Sequence, residues 1–319
     1  MIQGSIIAAL SLSLSASGSR SFSPATALER IEAIGPTRDL PDVLRSAFDP
    51  GADFAPLPAP KPGDWLSVHP EPGQTFEEFV HSNPNRPDKA RGKMYLQPIG
   101  EFPKDRAPSV ETLREFAAIY FAIEVVAFPA LDLSEGAVTS RRNPHTQNRQ
   151  LLTGDLLALL ERKLPPDAFC LLGITMEDLY PDPSWNFVFG QASLRERVGV
   201  YSFARYDPAF YGEQRGADYA NTLLRRSGRV LVHETGHMFG LAHCIYFRCV
   251  LNGSNHLDES DARPLHLCPV CLRKLQYSIG FDVPRRYGNL AAFYQRAGFA
   301  DEAEWVVRRL KGISGGEPE

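Results

Sequence analysis

The chain has 319 residues, 43% of them hydrophobic and 23% charged, with a net charge of -4. That length buries a large core and that composition is ordinary for a globular protein, while the acidic balance gives no electrostatic reason to expect nucleic acid or an anionic membrane as partner. Five cysteines suit a reducing compartment better than a disulfide-dense secreted scaffold.

In chain order, residues 1–28 contain no acidic side chain, and 6–16 (IIAALSLSLSA) form an apolar run. No lysine or arginine precedes the run, serines interrupt it, and it is far shorter than the roughly 20 residues of a membrane span. It reads as a disordered or weakly ordered leader, and the cytosol is the expected location. Residues 50–92 are rich in proline (PLPAPKPGD) and then in polar turn residues (SNPNRPD), a composition that holds no regular helix or central strand. Within it, TFEEFV (75–80) reads as a helical turn packed by Phe76 and Phe79, with Trp65 anchoring the extension to the domain that follows. The expected organisation is an N-terminal extension (1–90), a catalytic domain (91–310) and a flexible tail (311–319).

KMYLQPIG (93–100) reads as a first strand and SVETLREFAAIYF (109–121) as a helix capped by Ser109, with Leu113, Phe116, Ala117 and Tyr120 at helical spacing. IEVVAF (123–128) is a β-branched strand, and a second helix at 153–163 carries Leu156, Leu157, Leu159 and Leu160 and ends at Pro165. AFCLLGITM (168–176) is almost uniformly apolar, which implies a strand buried on both faces and makes Cys170 a core thiol. WNFVFG (185–190) and VGVYSFARY (198–206) read as the last two strands, joined by a polar turn through Arg195 and Glu196. A long helix follows at 217–239, and a final helix at about 283–310. This alternation predicts an α/β (α+β) fold with a mixed sheet backed by helices.

Residues 233–243 read HETGHMFGLAH. On a helix, His233 and His237 project from one face and can close on a single ion, with Glu234 beside them to handle a water proton. Gly240 enters the left-handed region without a Cβ penalty, so the chain can turn there and bring His243 round as a third ligand. Three imidazoles leave a fourth position for water, the arrangement of a catalytic zinc. An isolated HExxH often arises by accident, and a lone histidine is more often a packed residue than a ligand. The full HExxHxxGxxH ties five positions to one chemistry.

Cys244 and Cys249, then Cys268 and Cys271 in CPVC, supply two thiolate pairs and thus a closed structural zinc site. Two disulfides or four unrelated buried thiols are the alternatives. A sulfur-bound zinc immediately after His243 would pin the loop that positions that ligand. His256 and His266 read as loop residues.

At these residues the chain resembles the archaemetzincins, a branch of the metzincin clan of zinc-dependent peptidases, and in particular their animal-type members. His233, His237 and His243 match the catalytic zinc ligands, Glu234 the general base, and Cys244, Cys249, Cys268 and Cys271 the second zinc site. GDWLSVHPE (63–71), DAFCLLGITMEDLYPDPSWNFVFGQAS (167–193), VGVYSFARY and LNGSNHLDESDARPLHLCPVCLRKLQ (251–276) extend the likeness over roughly residues 63 to 290. One position departs: where the family usually has the methionine of the turn beneath the zinc, this chain has Leu251, close to methionine in volume and polarity.

The resemblance implies a mixed, mostly parallel twisted sheet, a long active-site helix, a zinc-stabilised C-terminal subdomain and two zinc ions per chain. The implied activity is that of a hydrolase, a zinc metalloprotease acting on peptides or small proteins, with aminopeptidase-like cleavage favoured among close relatives. The resemblance also places the WNFVFG region at the substrate cleft, as an edge strand that pairs with extended peptide; a plain core strand is the alternative. Two other readings compete with the enzyme: a weak or inactive zinc-stabilised peptide-binding scaffold, and a nucleic-acid-binding zinc ribbon, which the acidic charge opposes. No nucleic acid or membrane partner is expected, and the chain is read as a monomer.

Overall fold

The computed structural model describes residues 7–8, 22–133 and 138–313. Most of the leader expected at 1–28 and the end of the expected tail, 314–319, lie outside the described residues. By its contacts the chain divides into two compact units, Met1–Leu10 with Pro87–Ala118 and Ile123–Met238, and Ser11–Arg86 with Ile119–Ala122 and Phe239–Glu319. Among the described residues no helix is long and apolar enough to cross a membrane.

The first unit is built on a six-stranded sheet. Its strands are β1 (Ile7–Ala8), β2 (Lys93–Ile99), β3 (Val125–Ala127), β6 (Ala168–Thr175), β8 (Gly190–Ser193) and β9 (Val198–Ser202), in the order β1-β8-β9-β6-β2-β3. All neighbours are parallel except β8 and β9, which run antiparallel. β6 is central and buried along its whole length, as its apolar run predicts, and Cys170 is a core thiol. A smaller sheet joins β4 (Ser140–Arg142), β5 (Arg149–Leu152) and β7 (Asp178–Tyr180).

Two helices of this unit follow the sequence expectation closely. In α5 (Val110–Phe121) the Ser109 hydroxyl accepts from the Thr112 amide at 3.2 Å, which satisfies a donor the first helical turn leaves free. α6 (Thr153–Lys163) turns Leu156 and Leu160 into a core with Ile99, Leu171, Val198 and Val200 of the sheet. Each such leucine contributes about 1.5–3 kcal/mol by leaving water. The unit ends with α7 (Tyr219–Met238), the long helix expected at 217–239.

The strand expected at 185–190 is displaced: regular pairing begins only at Gly190. Upstream, side chains of the small sheet take the carbonyls that a ladder would use. Arg141 donates to the carbonyls of Pro183, Trp185 and Asn186, while Gln150 and Asn143 donate to that of Asn186 at 2.9 and 3.1 Å. The last strand is also shorter than 198–206. The Ser202 hydroxyl accepts the Ala204 amide at 3.1 Å and the chain bends into a 3-10 turn, Ala204–Tyr206.

The second unit is helical. Before residue 87 it contains α1 (Ala27–Ile34), α2 (Asp42–Phe48), α3 (Trp65–Val68) and α4 (Phe76–His81). α1 and α4 each begin with a reciprocal capping box, Thr26 with Glu29 and Thr75 with Glu78. After residue 239 come α8 (Leu257–Asp261), α9 (Pro269–Ile279), α10 (Val283–Ala297) and α11 (Ala300–Ile313). The single terminal helix expected at 283–310 is therefore two helices. The Phe299 amide bonds back to Tyr294 at 2.8 Å, closing α10, and the buried Phe299 ring holds the corner. Early and late segments are tied by buried side chains: Arg273 of α9 donates to the carbonyls of Ile34 and Pro36, and Arg309 of α11 to those of Ser46, Ala47 and Asp49.

Candidate active site and metal centres

α7 presents His233 and His237 one turn apart, both buried, with their Nε2 atoms 3.2 Å from each other and their rings nearly perpendicular. Two imidazoles sharing one tetrahedral zinc at about 2.0–2.1 Å would place their nitrogens about 3.3 Å apart. The pair already has the spacing of a chelate. The helix stops at Met238, and Gly240 adopts φ +83°, the left-handed turn its position in the motif predicts. His243 follows in the second unit, as the last residue that the motif names. The Nδ1 atom of His243 is 2.9 Å from one oxygen of Glu71 and 3.1 Å from the other, so Nε2 is the nitrogen left to face an ion.

Glu234, between His233 and His237 in sequence, is fully buried. Tyr201 of β9 lies close enough to feel it: burial first, and then the negative charge of Glu234, push the Tyr201 phenol well above its ordinary range. Sequence reading does not single out Tyr201, which looks like one more residue of an apolar strand. It also misses Glu71, which sits in an aperiodic HPEPG stretch with no motif to mark it.

Cys244, Cys249, Cys268 and Cys271 are buried free thiols whose sulfurs all lie within 4.8 Å of one another, with Cys244 and Cys268 3.5 Å apart. Asn252 shapes the loop: its side chain accepts the Cys249 amide at 2.7 Å and donates to the carbonyls of Cys244 and Phe247 at 2.7 and 2.9 Å. Leu251 is fully buried in the same loop, its amide on the Cys249 sulfur and its carbonyl accepting from the Cys244 amide at 2.8 Å.

The thiols do not titrate independently. Burial resists ionisation of Cys244, but hydrogen bonds from Cys249, Cys268 and Cys271 overcome it and hold that thiol well below its usual range. Burial and then Cys244 push Cys268 well above it, and Cys271 is raised most by its bond to Cys244. Four sulfurs this close suit a tetrahedral S4 site, a donor set that zinc takes.

His256 and His266 stay out of both clusters, as expected of loop residues. His256 caps α8, and His266 stacks on Trp305 with ring centroids 3.6 Å apart. Asp64, His256 and Glu259 also lie near one another, but their polar atoms are spent on backbone amides: Lys61 on Asp64, and Trp65 and Asn255 on Glu259.

Residues 163–277 match Peptidase family M54. Archaemetzincin-2 of Macaca fascicularis is 40% identical over 306 residues, covering 87% of this chain and 81% of that protein. Archaemetzincin-2 of Homo sapiens is 41% identical over 277 residues, covering 78% of this chain and 77% of that protein. Among solved structures, the archaemetzincin of Archaeoglobus fulgidus complexed with malonate matches with 31% identity and a TM-score of 0.43, covering 57% of this chain and 99% of that one.

The class is thus a zinc-dependent metallopeptidase, a hydrolase. Within that class, the chain belongs to the archaemetzincin family.

Proposed function

We propose that the chain hydrolyses peptide bonds at a zinc held by His233, His237 and His243, with Glu234 as general base, and that Cys244, Cys249, Cys268 and Cys271 hold a second, structural zinc. The observation that carries this reading is the chelate spacing of His233 and His237 on α7, their Nε2 atoms 3.2 Å apart, next to a buried glutamate that no ligand role requires. When bound there, zinc supplies Lewis-acid chemistry, polarising a scissile carbonyl and acidifying a water.

The chain's own residues do the rest. Glu234 accepts the proton of the attacking water and returns it to the departing amine, and its buried site keeps bulk water from competing for that proton. Tyr201 stays a neutral phenol beside it. Substrates in this reading are peptides or small proteins; β8 itself already pairs with β1 and β9. We favour aminopeptidase-like cleavage by a monomeric chain in the cytosol, where five unpaired thiols persist.

Incubation of the zinc-loaded protein with a peptide library, with free and acetylated N-termini in parallel arms, tests the reading. Removal of single N-terminal residues from free peptides alone is the expected result. Internal cuts would replace the aminopeptidase assignment with an endopeptidase, and no cuts from a fully zinc-loaded protein would favour the zinc-stabilised peptide-binding scaffold.

A further inference from the structure

Residues 65–75 lie in the proline-rich stretch ahead of β2, far from the zinc motif in sequence. In the second unit they grip the loop that carries His243 at several points. Gln74 spans the turn itself: its amide nitrogen donates to the Gly240 carbonyl at 3.3 Å and its amide oxygen accepts from Ala242 at 3.2 Å. Lys274, almost fully buried, donates to both the carbonyl and the side-chain oxygen of Gln74, which fixes the amide's orientation. The Trp65 indole packs edge-on against the His243 ring, with centroids 5.2 Å apart at 81°. Glu71 then joins the two, accepting from Trp65 Nε1 at 2.9 Å and meeting His243 Nδ1 at 2.9 Å.

Each anchor has its own support. The Trp65 amide donates to both oxygens of Glu259 at 3.0 Å. The indole lies flat over Gly253, where a Cβ would come within 2.3 Å of Trp65 Cδ1, so any larger residue would expel it. A carboxylate held this firmly at Nδ1 selects the tautomer with its proton on Nδ1 and turns the lone pair of Nε2 outward. That is how a histidine ligand is aimed and made more basic.

We propose that the extension is a working part of the catalytic metal site, with Glu71 as the positioning residue that presets the third imidazole and Gln74 as the brace of the turn beneath it. The inference rests on the reading of His243 as a ligand. It explains why an aperiodic, proline-rich segment is held by buried hydrogen bonds at all: without it, the ring would have to be ordered by the metal, and affinity would fall by the cost of that ordering.

The test is cobalt and zinc binding by the full chain with its thiolate site kept loaded, measured by chelator competition and by the cobalt d–d spectrum, for the parent, Glu71→Ala, Glu71→Gln, Gln74→Ala and His243→Ala. We expect Glu71→Ala to weaken metal at the imidazole site about 10- to 100-fold and to alter its d–d bands, with the sulfur-to-cobalt charge-transfer band unchanged. Glu71→Gln keeps the shape and an acceptor oxygen but lowers the basicity, so an intermediate loss is expected, and it stands in for the alanine variant should that one fail to fold. Parent affinity in both Glu71 variants, with His243→Ala strongly weakened, would overturn the positioning role while leaving the ligand assignment intact. Parent affinity in His243→Ala would overturn the ligand assignment itself. Equal losses at the imidazole and thiolate sites would reduce Glu71 to a general strut and overturn the proposal.

Discussion

The backbone amide of Cys268 donates to the sulfur of Cys249 at 3.3 Å, joining the two ends of the thiolate cluster. The Leu251 amide reaches the same sulfur at 3.5 Å. Two backbone amides thus fix the position of that sulfur within the cluster. The closed four-sulfur cluster should keep its metal, while the three-imidazole site, which leaves one coordination position unfilled by protein, should give its metal up first. Elemental analysis should find two zinc ions per chain, and a stepwise chelator titration should release one well before the other. A single zinc per chain with all four cysteines freely alkylated would defeat the two-site reading.

Glu234→Gln should abolish peptide hydrolysis and leave both zinc ions in place. The substitution keeps the volume in a fully buried site and removes only the group that accepts a proton. Loss of one catalytic acid–base group costs about 10²- to 10⁴-fold in turnover. Metal content and thermal unfolding should match the parent, and unchanged turnover would sink the mechanism.

How much of this was legible in the sequence depended on whether the signal was local. The central strand 168–175 and helix 153–163 were readable because apolar content and leucine spacing sit within one element. The proposed zinc ligands stand out in the sequence for the same reason, since the motif places a helix, a glycine turn and three histidines in eleven consecutive residues. Residues 185–189 misled because their alternating apolar pattern is a strand pattern, while the partners that divert their carbonyls, Arg141, Asn143 and Gln150, lie some forty residues earlier. Helices α1 and α2 are short and held by tertiary bonds from Arg273 and Arg309 that no window of sequence contains. Glu71 was invisible on the same ground: its meaning comes from His243, and nothing adjacent to it in the chain announces that partner.

A buried charged pair in the first unit predicts a large stability effect. Arg205 makes a two-pronged bond to Asp178, each contact at 2.8 Å, with both side chains almost wholly buried, and Gln150 donates to the same carboxylate at 2.8 Å. Asp178→Ala should destabilise by about 3–5 kcal/mol, because it strands a buried guanidinium between the Phe187 and Phe210 rings, 3.3 and 4.7 Å from their centroids. Replacing both partners with apolar residues, Asp178→Leu with Arg205→Met, should recover most of that loss. Urea unfolding of the zinc-loaded proteins measures both, and an alanine variant as stable as the parent would show the pair contributes little.

Leu251 stands where the family usually has methionine, and the structure shows what its position requires. The side chain is fully buried and its two backbone groups serve the thiolate loop, one on the Cys249 sulfur and one accepting from Cys244. A side chain there needs to be apolar and of the right volume. Leu251→Met meets both conditions, so activity and zinc content should change little. Leu251→Asp buries an unpaired carboxylate next to four thiolates, which repels them and costs several kcal/mol, so the thiolate zinc should be lost first and the fold with it. Zinc content, unfolding temperature and peptide turnover across the three proteins check this. A large gain in turnover on restoring methionine would give the thioether a specific role and mark this chain as a weakened peptidase. An aspartate variant indistinguishable from the parent would mean the thiolate loop tolerates a charge that its burial should forbid.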